Sequence, residues 1–380
     1  MSDRMAKPSA DTAWRADPSG PRPRTGGPGP EAGGPDPDTS GSGPDTSGSG
    51  PDTGGSGPDA VALYRAMRLI RRFEERCVEL VKAGEIVGGI HPCTGQEAVA
   101  AGVCAALRPD DVITSTHRGH GHVLAKGADL NRMTAELMGR TTGLNKGRGG
   151  SMHAADVGLG ILGANGIVGA GAPIATGAAW AAVRAGADRV AVSFFGDGAV
   201  SQGVVLESLN LASLWRLPVL FVCENNGYSS TVTVEDMVAG TIVGRAAAFG
   251  MSAETVDGMD AEAVAAAARR HVDRARAGGG PALLECRTYR FDAHHTWEHR
   301  SFVRYRTPEQ VKEGRRRDPV RIQGDRIPEG ERARVDDEVE AALDTAVRFA
   351  RDSPEPDPAD ALDHLYATGL RPRAGVSTHA

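Results

Sequence analysis

The sequence predicts an α/β protein, a three-layer parallel sheet with helices on both faces. Three observations lead there. Short apolar runs at 190–195, 219–222 and 282–288 read as buried strands. Helical segments, amphipathic or rich in small residues, separate them, and such alternation builds a parallel sheet whose crossovers cover both faces. The turn Gly196-Asp197-Gly198 directly follows the first strand, and Asn225-Asn226 directly follows the second.

Residues 1–58 stand apart from that pattern. Asp38-Thr39-Ser40-Gly41-Ser42-Gly43-Pro44 recurs at 45–51 and, with one change, at 52–58. A tract of Gly, Pro, Ser, Thr and Asp buries too little apolar area to offset its ordering entropy, so a disordered tail is expected. The seven-residue period is no coiled coil, because it has no apolar a and d positions. A second disordered end is expected at 371–380, leaving 59–370 as the folded domain.

Order begins at Asp59, a candidate N-cap. Leu63, Met67, Ile70, Phe73, Cys77 and Val81 then recur every three or four residues, the stripe of an amphipathic helix ending near Gly84. An Ala-rich helix at 94–107 and another at 129–140 follow. From 143 to 171 glycine dominates, which marks either a flexible lid or a backbone that approaches a ligand closely. The strand–helix alternation then runs through helices 172–186, 203–215 and 260–277, and a last helix covers 331–352.

Bulk properties narrow the function. With 40% hydrophobic and 24% charged residues and a net charge of −6, the chain reads as soluble and globular, without the basic stripe that nucleic acid or an anionic membrane would want. No apolar run approaches the ~18–20 residues that span a bilayer. Residues 1–16 have no apolar core of the signal-peptide kind, so a cytoplasmic protein is expected. The five cysteines are scattered and odd in number, which reads as reduced buried thiols.

The candidate chemistry lies at the strand ends. In a parallel sheet, ligands bind beyond the carboxyl ends of the strands, and Asp197 and Asn225-Asn226 fall there together. Flanking glycines let backbone amides face an anion. One carboxylate, one amide oxygen and a carbonyl, completed by phosphate oxygens and water, is how magnesium is held beside a diphosphate. A lone Gly-Asp-Gly is a common turn; the Asn pair at the matching strand end is what makes it a site.

Gly196-Asp197-Gly198, the span 199–224 and Asn225-Asn226 resemble the thiamine-diphosphate signature. The longer string GDGAVSQGVVLESLNLASLWRLPVLFVCENNGYS is similar to the α subunit of the first, decarboxylating component of 2-oxo-acid dehydrogenase complexes, with acetoin-cleaving members especially near. The resemblance spans about 60–370. It includes His91-Pro-Cys-Thr-Gly-Gln-Glu97, Thr116-His-Arg-Gly-His-Gly-His122, Gly149-Gly-Ser-Met-His153, Asn165-Gly-Ile-Val-Gly169 and the ending Ser353-Pro-Glu-Pro-Asp-Pro358. The repeat tail has no counterpart in it.

The resemblance implies the diphosphate-binding half of a thiamine-diphosphate-binding fold. It implies magnesium on Asp197, Asn226 and the backbone carbonyl of Tyr228. Gly198 and Ala199 would meet the diphosphate through their backbone, with Arg118 and His117 beside them. Gly166 and Val168 would lie against the aminopyrimidine. His91 and His294 would border the reacting carbon, with His120 as a third catalytic candidate. His117 stands where pyruvate-type members often have tyrosine, and acetoin-type members share the histidine. Alanine at 293 replaces the family's glycine, which leaves His294 and His295 both open as the residue facing the cofactor.

The expected activity is decarboxylation of a 2-oxo acid, pyruvate first, with transfer of the acyl group to a lipoyl-bearing acyltransferase; acetoin cleavage is the alternative. Activation of the cofactor in this family needs a glutamate on a second, pyrimidine-binding domain. Only one nucleotide-type unit is legible here, so a β subunit and a two-alpha, two-beta heterotetramer are expected. Three other readings are less favoured. Gly158-Leu-Gly-Ile-Leu-Gly163 matches the dinucleotide GxGxxG pattern, but no strand precedes it and no helix follows. A non-catalytic paralogue would be expected to have lost Asp197, Asn226 or Arg118. A zinc site at His117, His120 and His122 lacks a nearby cysteine or carboxylate in sequence.

Overall fold

The structure, a computed structural model, describes residues 59–296 and 305–363. The tail 1–58, the end 371–380 and positions 297–299 of the His-rich loop lie outside the described residues. The described residues open with four helices, α1 (Ala60–Lys82), α2 (Glu97–Ala105), α3 (His120–Ala125) and α4 (Leu130–Leu137), with strand β1 (Val112–Thr114) between α2 and α3. Next come α5 (Gly171–Arg184), β2 (Ala191–Gly196), α6 (Gly203–Leu214) and β3 (Val219–Asn225). A small hairpin of β4 (Tyr228–Ser229) and β5 (Val232–Thr233) leads to α7 (Val234–Met237), α8 (Ile242–Ala247) and β6 (Ser252–Asp257). Helix α9 (Ala261–Arg274) and β7 (Ala282–Arg287) complete the sheet, and α10 (Pro308–Arg316), α11 (Pro319–Gly324) and α12 (Glu329–Asp352) follow.

The main sheet has the order β1-β2-β3-β7-β6, with every pairing parallel. Because side chains alternate along a strand, each strand feeds two cores. Val192, Phe194, Leu220, Val222 and Leu284 pack against α1, α2, α9 and α12 on one face. Ala191, Phe195, Val219, Phe221 and Leu283 pack against α5, α6 and α8 on the other. The predicted three-layer architecture is therefore the observed one.

Most predicted elements lie within a few residues of their expected bounds. Asp59 caps α1 by accepting from Val61 N and Ala62 N. Two strands of the sheet lacked a readable pattern. β1 is only three residues long, too short for a period to register. β6 is an edge strand with polar residues on both faces and no buried position. All five cysteines are free and buried, as expected. Among the described residues, no helix is long and apolar enough to cross a membrane.

The central strands are the most tightly committed part of the core. Leu220 on β3 is fully buried. Truncation by Leu220→Ala should cost about 2–5 kcal/mol of unfolding free energy in chemical denaturation, through lost burial and an unfilled cavity. A loss below about 1 kcal/mol would mean that Leu220 is not packed tightly in its core.

Candidate active site

The site follows from the pairing of β2 with β3. Their parallel register sets Gly196 opposite Glu224, so the residues just beyond both strands emerge on one edge. Asp197 opens a 3-10 turn, Asp197–Ala199, and is 2% exposed. Its Oδ1 accepts from Gly198 N at 2.8 Å. Its Oδ2 is buried and, among the described residues, has no hydrogen-bond partner. Burial raises the Asp197 carboxyl to about 6. Glycine is needed at 198 because a Cβ there would lie 2.5 Å from Ser229 Oγ.

The two asparagines divide their work. Asn225 Nδ2 donates to Glu285 Oε1 at 2.7 Å, tying it to the neighbouring strand β7. Asn226 is buried and lines the cavity. Its Nδ2 donates to Gln96 Oε1 at 3.0 Å, and its Oδ1 accepts from Tyr228 N at 3.1 Å. Gly227 makes the turn between them with φ 84°, a left-handed conformation that favours glycine.

A cavity of ≈ 290 Å³ opens at this edge. Asp197, Gly198, Ala199, Asn226 and Tyr228 line it together with Gly166, Val168, His91, His117, Arg118 and His294. His91 stands edge-on to His117 and His294, with ring centroids 4.7 and 5.0 Å away. Arg118 donates to Pro92 O at 2.6 Å and to both Nδ1 and O of His294 at 3.2 Å. Arg290 approaches the same Nδ1 at 3.3 Å.

These surroundings keep the imidazoles neutral. Burial, followed by neighbouring positive groups, lowers His91 to about 2 and both His117 and His294 to about 3. Burial and Arg290 bring Arg118 down to about 10, so it stays charged at neutral pH. One ring nitrogen from each of His91, His117 and His294 lies within 4.8 Å of the other two. Two guanidiniums at His294 would repel a cation placed there, so this cluster suits neutral or anionic groups.

Of the predicted site residues, eleven line the cavity together and His120 does not. The His120 ring is fully buried, with Nδ1 2.9 Å from Glu74 Oε2 and Nε2 2.9 Å from Ser151 Oγ. It departs from the expectation of direct catalysis because both ring nitrogens are engaged outside the cavity. His122 is equally committed, with Nδ1 2.8 Å from Ser115 Oγ and Nε2 3.3 Å from Glu224. The three histidines of the 116–122 run therefore do not converge on a metal. His294 faces the cavity, whereas His295 packs its ring 4.6 Å from that of His91.

Three residues were missed in the sequence. Gln96 holds Asn226, Arg290 faces His294, and Glu74 holds His120. Only Glu74 left a signal: it adjoins Phe73 on the apolar stripe of α1, where a carboxylate needs a buried partner. The 158–163 run also has its own account. Ile161 bridges to Ile113 and Asp156, so the segment is an irregular bridge and not a strand–turn–helix.

A parallel sheet with a buried acid and an amide at adjoining strand ends, and cationic and neutral donors across a cavity, defines a metal- and diphosphate-binding α/β protein. The chain belongs to the dehydrogenase E1 component family, whose model matches residues 65–359. It is 45% identical over 315 residues to the α subunit of acetoin:2,6-dichlorophenolindophenol oxidoreductase from Bacillus subtilis (strain 168), covering 81% of this chain and 94% of that one. It is 42% identical over 316 residues to the pyruvate dehydrogenase E1 component subunit alpha of Zymomonas mobilis, covering 81% and 87%. To the human somatic mitochondrial form of that subunit it is 37% identical over 312 residues, covering 80% and 79%.

The family uses thiamine diphosphate with magnesium. The residues present fit that pair. Asp197 Oδ2 is a buried carboxylate oxygen without a partner among the described residues, a costly state that a cation relieves. The Gly198 turn brings its backbone against Ser229 where a side chain would collide.

The buried histidines give the chain a pH signature. Each ring stays neutral in the fold but takes a proton below its ordinary pKa of 6.5 when unfolded. Stability is therefore present above that pH and lost as pH falls toward the folded values. Asp197 works the other way, gaining stability as pH falls from about 6, but it is one group against three. Without added cofactor, the melting temperature should fall between about pH 7 and about pH 5, and His117→Asn should flatten that slope. A melting temperature that rises over this range would contradict the neutral assignment.

Proposed function

We propose that the chain is the α subunit of a thiamine-diphosphate-dependent dehydrogenase that decarboxylates pyruvate and hands the acyl group to a lipoyl-bearing acyltransferase. The observation that carries this reading is Asp197 Oδ2 beside Asn226, unpartnered among the described residues. Asp197, the Asn226 side chain and the Tyr228 carbonyl would hold magnesium, with Gly198, Ala199, His117 and Arg118 toward the diphosphate. Gly166 and Val168 would support the aminopyrimidine. When bound, thiamine diphosphate supplies a carbon that adds to the substrate carbonyl and takes up the charge left as the carbon–carbon bond breaks.

The protein's share is binding, orientation and proton placement. His294 receives hydrogen bonds at Nδ1 from Arg118 and lies near Arg290 there. A neutral ring accepting at Nδ1 carries its proton on Nε2. His294 Nε2 is thus the protonated nitrogen, with His91 beside the ring. His120 acts from outside the cavity, through the Ser151 contact.

Cleavage of acetoin is a second reading. It is favoured by the 45% identity to the acetoin relative. Arg118 is committed to Pro92 and His294, and Arg290 to Ser230 and Tyr305.

A β subunit would complete the site as a two-alpha, two-beta assembly. Two features support it. Among the described residues only one parallel sheet is present, beside a two-stranded hairpin. Apolar side chains are also exposed near the cavity mouth and on α5 and α6: Ile167 at 72%, Trp180 at 48% and Leu214 at 69%.

The chain purified alone should show negligible turnover with pyruvate or acetoin in a dye-reduction assay, and co-expression with its β subunit should restore it. High activity without a partner would overturn the half-site reading. In the paired enzyme, Asp197→Ala should weaken magnesium-dependent cofactor binding by at least about a hundredfold. The substrate panel then separates the two readings: dye reduction with acetoin alone would replace pyruvate by acetoin.

A further inference from the structure

The glycine-rich run after α4 reads in sequence as a lid or as a backbone brought close to a ligand. In the structure, its first part is brought close to a side chain. Glu136, the penultimate residue of α4, is fully buried. Its Oε2 accepts from Asn145 N at 2.7 Å and Gly147 N at 2.9 Å. Its Oε1 accepts from Gly149 N at 2.7 Å and Gly150 N at 3.0 Å. Four backbone donors on one carboxylate form a nest of the kind that usually receives a bound anion.

The glycines follow from that closeness. A Cβ on Gly143 would lie 2.4 Å from Glu136 Oε2 and 2.7 Å from its Cα. Gly147 and Gly150 turn with φ of 74° and 56°, which points successive N–H groups inward. The chain then runs straight into the cavity wall. Ser151 meets His120 Nε2, Met152 lines the cavity, and the His153 ring comes near Gly166.

We propose that Glu136 is a positioning residue for the cofactor cleft: its carboxylate serves as an internal anion that gathers the backbone of 145–150 and so fixes Met152 and the Ser151–His120 contact at the cavity wall. The proposal deepens the cofactor reading above and rests on it for its functional consequence. A carboxylate is required because each oxygen takes two N–H donors. Glutamine keeps the shape but turns an NH2 group toward two of those donors, leaving them unsatisfied.

The test uses the full chain co-expressed with its β subunit, as wild type, Glu136→Gln and Glu136→Asp. Amide hydrogen exchange, thiamine diphosphate titration with magnesium, and turnover are read on each. In Glu136→Gln, exchange at 145–150 should quicken at least about tenfold while 191–196 and 219–225 stay unchanged. The cofactor dissociation constant should rise about tenfold, with kcat at saturating cofactor within about threefold of wild type. Glu136→Asp keeps the charge but is shorter, and should fall between the two; it carries the same comparison if the glutamine variant fails to assemble. Unchanged exchange at 145–150, or protection lost equally across the sheet, would overturn the proposal. If wild type fails to bind thiamine diphosphate, the cofactor reading has failed instead, and the exchange result still judges Glu136 by itself.

Discussion

The structure depends above all on the parallel pairing of β2 with β3. A strand slipped by one residue turns every side chain to the other face, so the two cores hold this register firmly. Val192, Phe194, Leu220 and Val222 commit one face, and Ala191, Phe195, Val219 and Phe221 the other. That pairing brings Asp197 and Asn226 to one edge. It also buries the Asp197 carboxyl, whose free Oδ2 is a local cost that the rest of the sheet carries.

Charge is distributed along the cavity to suit one orientation of ligand. The carboxylate lies at the strand ends, where a cation is welcome. Arg118 and Arg290 stand around three neutral imidazoles in the same cavity. Behind them, buried ion pairs fix the supporting helices. Arg71 on α1 reaches Glu97 on α2 at 2.6 Å and Asp318 at the start of α11 at 2.9 Å. Glu74 adds a second tie from α1, to His120. Removing one member of such a pair leaves the other charge buried and unpaired, so these contacts define position more than they add stability.

Much of this was legible in the chain. The strands at 190–195, 219–222 and 282–288 declare themselves by apolar runs, and Asp197 and Asn226 by their places just after two of them. Asn226 could be preferred to Asn225 only through family resemblance; the contact between Asn225 and Glu285 gives the physical reason. β1 and β6 were not legible, one too short and the other too polar. The glycines of 143–150 were visible, but their reason was not, because a backbone nest around Glu136 has no signature beyond glycine itself. Gln96 and Arg290 reach the site across gaps of 130 and 4 residues to Asn226 and His294, contacts that only the folded chain defines.

The proposed metal site joins Asp197, Asn226 and the Tyr228 carbonyl and works with a diphosphate. It is tested most directly by crystals of the paired enzyme grown with manganese in place of magnesium, with and without thiamine diphosphate, and read by anomalous diffraction. A single strong peak is expected between those three groups, present only with the cofactor. A peak at the His91–His117–His294 cluster, or none at the strand ends with cofactor bound, would contradict it.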